Sequence, residues 1–276
     1  MSLLVPDVKP PVRPSLAEMA VSSGKPQSGE AANTKFAVDY LRSYLLMRTI
    51  IGFIGLTFPI VLIGGDHLLD SNAPGVRATL SAYYYSGMRD FFVAGMAVSG
   101  LFLITYRVFE KSLNNVLTII GGLAALGVAF FPTDRFEGST AVLTPLQAKL
   151  GEGVVSDVHH WSAGVFLVSL AIISFFFGVQ EGRRPQQRAT GRAMLPPGFW
   201  RWFHFVCALL VLGGVAFVFL SKRQHVLTGG HWALIAEIIA IGAFGLSWFF
   251  KGLELNVLLG TGRAKRAVAA QEIARN

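Results

Sequence analysis

Cys207 is the only cysteine in the chain, so no disulfide can close within it and no thiolate cluster can hold a metal. Charge is scarce as well. Only 14% of the 276 residues are Asp, Glu, Lys or Arg, against the roughly 25% of a soluble domain. The two-residue alternation of barrel strands is missing, and no loop is long enough to fold as a soluble domain. A phosphate loop is missing too: Gly24-Lys25-Pro26-Gln27-Ser28-Gly29 lacks the G-x-x-x-x-G-K-[ST] order and a preceding strand. These absences exclude an intrachain disulfide, a thiolate metal site and nucleotide chemistry on a soluble domain.

What the chain has in abundance is apolar sequence, 53% of its residues, in long blocks rather than amphipathic stripes. Six blocks stand out, at 45–63, 91–106, 116–131, 161–179, 203–220 and 232–250. Each is near the roughly 20 residues that cross about 30 Å of hydrocarbon as helix. The expected fold is all-α, a polytopic bundle of six transmembrane helices over residues 39–252. Pro6, Pro10, Pro11, Pro14 and Pro26 among polar residues mark 1–38 as a disordered tail, too polar for a signal peptide. Residues 253–276 read as a basic tail.

Lys and Arg sort by side. The N-terminal tail, the second and fourth loops and the C-terminal tail hold 17 of the 24, the remaining loops six, and Arg48 lies inside the first block. The positive-inside rule therefore places both termini in the cytoplasm. The net charge of +8 then reflects topology, and the expected partners are anionic membrane lipids rather than nucleic acid.

Close helix packing in lipid relies on small residues. Gly121, Gly122 and Gly127 in the third block, Gly213 and Gly214 in the fifth, and Gly242 and Gly245 in the sixth supply them. The third and sixth spans are expected near the bundle centre and the first nearer lipid.

The second block is 16 residues, about 24 Å of helix and short of the hydrocarbon thickness. Starting the helix near Tyr85 or Ser86 completes the span and draws Arg89 and Asp90 about one turn below the outer surface. Neighbouring residues diverge by about 100° on a helix, so the two charges face different partners. Asp134 after the third span, Asp157, His159 and His160 leading into the fourth, and Glu237 about five residues inside the sixth lie on the same side. A carboxylate at that depth faces the bundle interior with a partner or stays protonated, which makes Glu237 the foremost site candidate. Catalytic candidates are Glu237, His159, His160, Asp90 and Arg89.

Several readings of this cluster stay open. Asp90, one of His159 and His160, Glu237 and His231 have the donor types of a zinc site, which takes about three protein ligands and an open position. A metal-free hydrogen-bond network is the alternative. Tyr83, Tyr84 and Tyr85 read as an interfacial aromatic belt; in the alternative one phenol, with Tyr85 a candidate, or a serine hydroxyl of the same run turns inward to the cluster. The stretch Thr144-Pro145-Leu146-Gln147 reads as a short surface helix, a possible lid.

At Ser-Ala-Tyr-Tyr-Tyr (81–85) with Met88-Arg89-Asp90, Phe131-Pro132-Thr133-Asp134, His159-His160 and Phe244-Gly245-Leu246-Ser247-Trp248, the chain resembles a family of uncharacterised six-span bacterial membrane proteins. The resemblance covers about residues 40–252 and implies a six-helix fold in the bacterial inner membrane, with no established activity. Its Ser, Asp and His residues near one membrane face also resemble, more loosely, the metal-dependent lipid amidases of the alkaline ceramidase type, whose H-x-x-x-H pair is absent here. Two functions are carried forward. One is a membrane protein whose outer Arg/Asp/His/Glu cluster binds a lipid headgroup or small ligand. The other is a membrane-embedded lipid hydrolase, with or without a divalent metal.

Overall fold

The computed structural model describes residues 28–69, 75–106, 113–135, 141–182, 197–224 and 231–253. Most of the expected N-terminal tail (1–27), the basic loops at 107–112 and 183–196 and nearly all of the C-terminal tail lie outside them. The described residues form helices and no strand. In chain order these are α1 (Ser28–Leu69), a 3-10 turn (Ser81–Tyr85), α2 (Arg89–Thr105), α3 (Leu113–Phe130), α4 (Pro145–Leu150), α5 (Glu152–Gly182), α6 (Pro197–Gln224) and α7 (Trp232–Gly252). The chain divides into two compact units, 1–42 and 43–276, and every candidate span lies in the second.

Among the described residues, five helical segments are long and apolar enough to cross a membrane: Leu45–Leu69, Leu113–Phe130, Glu152–Gly182, Gly198–Ser221 and Trp232–Gly252. On length and composition the protein is an all-α, multi-pass integral membrane protein. Helix α2 has 17 residues, about 25 Å of rise. The expected earlier start is not observed. Ser86 is extended (φ −126°, ψ 178°), because its hydroxyl donates to the Tyr83 carbonyl at 2.8 Å and accepts the Met88 N–H at 3.0 Å. Such local side-chain bonds offer the backbone an alternative to the helix. At the other end of the first span the helix reaches back to Ser28, into sequence expected to belong to the tail, since no proline interrupts the chain between Pro26 and Pro59.

Helix α3 packs on α2 and α5, α5 on α6, and α6 on α7. The most buried spans are α5 and α7, each 44% buried, while α6 at 22% is more exposed than α1 at 33%. The third span, at 39%, and the sixth are both more buried than the first, but α5 matches the sixth, and α6 rather than the first span is the most exposed of the five. Glycines set the crossings. A Cβ on Gly245 would come within 2.8 Å of Leu56 N and 3.0 Å of Gly52 O, and one on Gly122 within 2.6 Å of Gly100 O. The backbones approach too closely for any side chain at these points.

Candidate functional site

The 3-10 turn Ser81–Tyr85 is gripped from several helices. Tyr83 and Tyr84 are buried, and Tyr84 meets Phe92 edge-to-face at 6.3 Å. They are core, not the interfacial belt expected, because the turn folds inward over the helix ends. Tyr85 does turn inward. Its hydroxyl donates to the Thr133 carbonyl at 2.5 Å and accepts from Gln147 Nε2 at 2.6 Å.

Gln147 belongs to α4, the short helix foreseen at Thr144-Pro145. Thr144 Oγ1 accepts the Gln147 N–H at 3.2 Å, and Gln147 Oε1 accepts the Thr144 N–H at 3.0 Å. This reciprocal capping box defines the helix start. With Gln147 also bonded to Tyr85, α4 is fastened to the turn. Beside it the Arg135 guanidinium takes Glu152 bidentately, Nε to Oε1 and Nη2 to Oε2 both at 3.1 Å. Those hydrogen bonds push the Arg135 guanidinium further above its usual range.

His159, 1% exposed, reaches the turn from α5. Its Nδ1 lies 2.7 Å from the Phe131 carbonyl oxygen and its Nε2 2.8 Å from Ser81 Oγ. A carbonyl only accepts, so Nδ1 carries the proton. In the neutral imidazole Nε2 then accepts from the Ser81 hydroxyl. His160 points elsewhere, as adjacent helical residues must. Its Nδ1 bonds the Ser156 carbonyl of its own helix at 2.7 Å, and the two rings stand 5.5 Å apart at 78°.

Glu237 comes from α7 and accepts the Leu80 N–H at 2.5 Å through Oε2. This carboxylate and His159 therefore hold consecutive residues, Leu80 and Ser81, at the start of the turn. Arg89 joins from α2. Its Nη2 donates to the Tyr84 hydroxyl at 2.9 Å, and its guanidinium carbon sits 4.7 Å from the Tyr84 ring centre.

The expected cluster is thus brought together only in part. Glu237, His159, Arg89 and Tyr85 converge on one turn, whereas Asp90, Asp134 and His231 are exposed. Only the backbone of Asp134 engages the site, its N–H donating to Ser156 Oγ at 3.1 Å. Among the described residues no three His, Cys, Asp or Glu side chains lie close enough to hold a metal ion. Of the zinc candidates Asp90, His159, His160 and Glu237, His159 has both ring nitrogens engaged in hydrogen bonds. Burial raises the Tyr83 phenol above its usual range, and raises that of Tyr85 against the opposing Gln147 hydrogen bond.

Two sets of buried polar residues, one at each end of the bundle, were not singled out from sequence. Near the turn, Arg77 Nε meets Asp66 Oδ2 at 2.9 Å, both side chains buried. At the opposite end of the bundle Lys251 pairs with Glu181, Arg48 donates to the Tyr106 hydroxyl, and His204 Nδ1 lies 2.9 Å from Ser247 Oγ, every one of them buried. The signal available was Arg48, a cation inside an apolar block, with Lys251 directly after another. Comparison with protein-family models, with curated proteins and with solved structures finds no match.

Proposed function

We propose that the protein spans the bacterial inner membrane six times, with α2 as the additional span and both termini cytoplasmic. In this reading the Ser81 end of the bundle lies on the extracytoplasmic side and binds a phosphate-bearing headgroup, from a membrane lipid or a small ligand of the same chemistry. The Lys and Arg distribution supports the orientation.

The observation that carries the reading is Arg89. The guanidinium is exposed at the head of α2, rests on the Tyr84 ring, and makes one hydrogen bond among the described residues, to Tyr84. A guanidinium has five N–H donors in a rigid fork that suits phosphate. Stacking on a buried tyrosine presets its orientation and lowers the entropy lost on binding. The turn beneath is held by Glu237, His159 and Gln147, so the headgroup meets a fixed surface.

Native mass spectrometry of the detergent-purified protein tests this. The wild type retains phospholipid through delipidating washes, and Arg89→Ala retains on the order of tenfold less, as the loss of one charge-assisted contact predicts. Equal retention by the two proteins refutes the reading. A second reading, a membrane-embedded lipid hydrolase, is favoured by one observation, the Ser81–His159 hydrogen bond.

A further inference from the structure

We infer that Ser81 is a nucleophile with His159 as its general base, so that the Ser81 end of the bundle performs acyl transfer on an ester or amide of a membrane lipid. The inference rests on reading that end as the headgroup site and adds a reaction to it.

Three elements of nucleophilic catalysis are present in sequence-distant residues: a hydroxyl, a base and a group that orients the base. Ser81 Oγ lies 2.8 Å from His159 Nε2, and His159 Nδ1 lies 2.7 Å from the Phe131 carbonyl oxygen. The carbonyl fixes the proton on Nδ1, leaving Nε2 with the lone pair that a general base needs. Phe131 directly follows α3, its N–H donating to the Gly127 carbonyl at 2.9 Å, and precedes Pro132, so the orienting carbonyl is held by helix and proline together. The imidazole is 1% exposed while Ser81 is only partly buried. In this proposal substrate and, after acylation, water reach the pair from the partly exposed Ser81 side. Glu237, by taking the Leu80 N–H, fixes the residue before the nucleophile and acts as a positioning residue.

The step balances without a metal or co-reactant. Ser81 Oγ forms a bond to the acyl carbon while its proton passes to His159 Nε2. The tetrahedral intermediate then expels the alcohol or amine, which takes that proton from Nε2. Water, deprotonated by the same Nε2, attacks the acyl-serine, releases the carboxylic acid and returns the proton to Ser81. The ligand class is therefore a lipid with a carboxylic ester or amide close to its headgroup, at the depth of the turn.

The experiment is reaction of the purified full-length protein with a fluorophosphonate, which bonds phosphorus to an activated serine oxygen with loss of fluoride. Labelling of Ser81, identified by peptide mapping and lowered at least tenfold in His159→Gln, is expected. Ser81→Cys is the second variant, because it keeps a side chain of similar size and a hydrogen-bonding group beside His159, both of which Ser81→Ala removes. Its thiol should be alkylated by iodoacetamide faster than in the Ser81→Cys, His159→Gln double variant, with buried Cys207 as the internal reference. An unlabelled Ser81 in protein that still retains phospholipid overturns the inference and leaves the headgroup reading standing. Labelling or alkylation that does not depend on His159 also overturns it, and shows that the hydrogen bond only ties the turn to α5. Labelling of Ser81 in protein that retains no phospholipid supports the nucleophile and removes the headgroup reading alone.

Discussion

Glu237 accepts the backbone N–H of Leu80 at 2.5 Å, a hydrogen bond between residues 157 positions apart. A carboxylate a turn and more inside an apolar helix is thereby matched to a donor at the start of a 3-10 turn, where backbone N–H groups have no partner of their own. Glu237→Gln keeps an acceptor for the Leu80 N–H and should cost less stability than an apolar substitution. Glu237→Leu orphans the N–H and should lower the unfolding free energy by about 1–3 kcal/mol, read as a lower melting temperature in detergent.

The glycines of α7 should separate sharply. A Cβ at Gly245 would press on the backbone of α1 at Leu56 and Gly52, whereas one at Gly242 meets nothing within 4 Å. Gly245→Ala is expected to reduce the yield of folded protein severely, and Gly242→Ala to leave it unchanged. Size-exclusion profiles of the two variants provide the comparison.

The buried Lys251–Glu181 pair should matter to stability more than any surface ion pair. Removing Lys251 takes one charged partner from Glu181 inside the bundle, which costs more than breaking an exposed pair. Lys251→Met is therefore expected to melt well below the wild type. The partly exposed Arg135–Glu152 pair, whose side chains are 30% and 28% exposed, should contribute about 1 kcal/mol or less when broken by Arg135→Gln.

Much of the fold was legible because hydropathy dominates in a membrane chain: five of six apolar blocks correspond to helices long enough to span. The start of α2 was not, since Ser86 hydrogen bonds to its own neighbourhood leave no trace in hydropathy. His159 and Glu237 could be picked out as polar residues at the edges of apolar blocks. Their targets could not, because Ser81 and His159 lie 78 residues apart and nothing in sequence pairs them. Glu181 and Lys251 look interfacial in sequence and Arg48 lies inside an apolar block, but nothing in the sequence shows that Lys251 pairs with Glu181 or Arg48 with Tyr106, all of them buried. Tyrosines next to a membrane boundary likewise carry no mark that separates belt from core.

Alkaline pH should loosen the Ser81 end. Folding raises the Tyr85 phenol, chiefly by burial, so the folded state holds its proton to higher pH than the unfolded chain. The resulting stabilisation is complete below the unfolded value of about 10 and is lost as pH rises through the folded value. The melting temperature should fall above about pH 10, and fall less steeply in Tyr85→Phe. An equal slope in both proteins would show that the phenol is not coupled to folding.

The most direct measurement for the headgroup site is photocrosslinking with a phospholipid that carries a diazirine in its headgroup, reconstituted with the purified protein in vesicles. Peptide mapping should find the adducts within residues 75–90, and Arg89→Ala should lower them on the order of tenfold without changing reconstitution. Adducts spread along the exposed face of α6, with none in 75–90, would contradict the account.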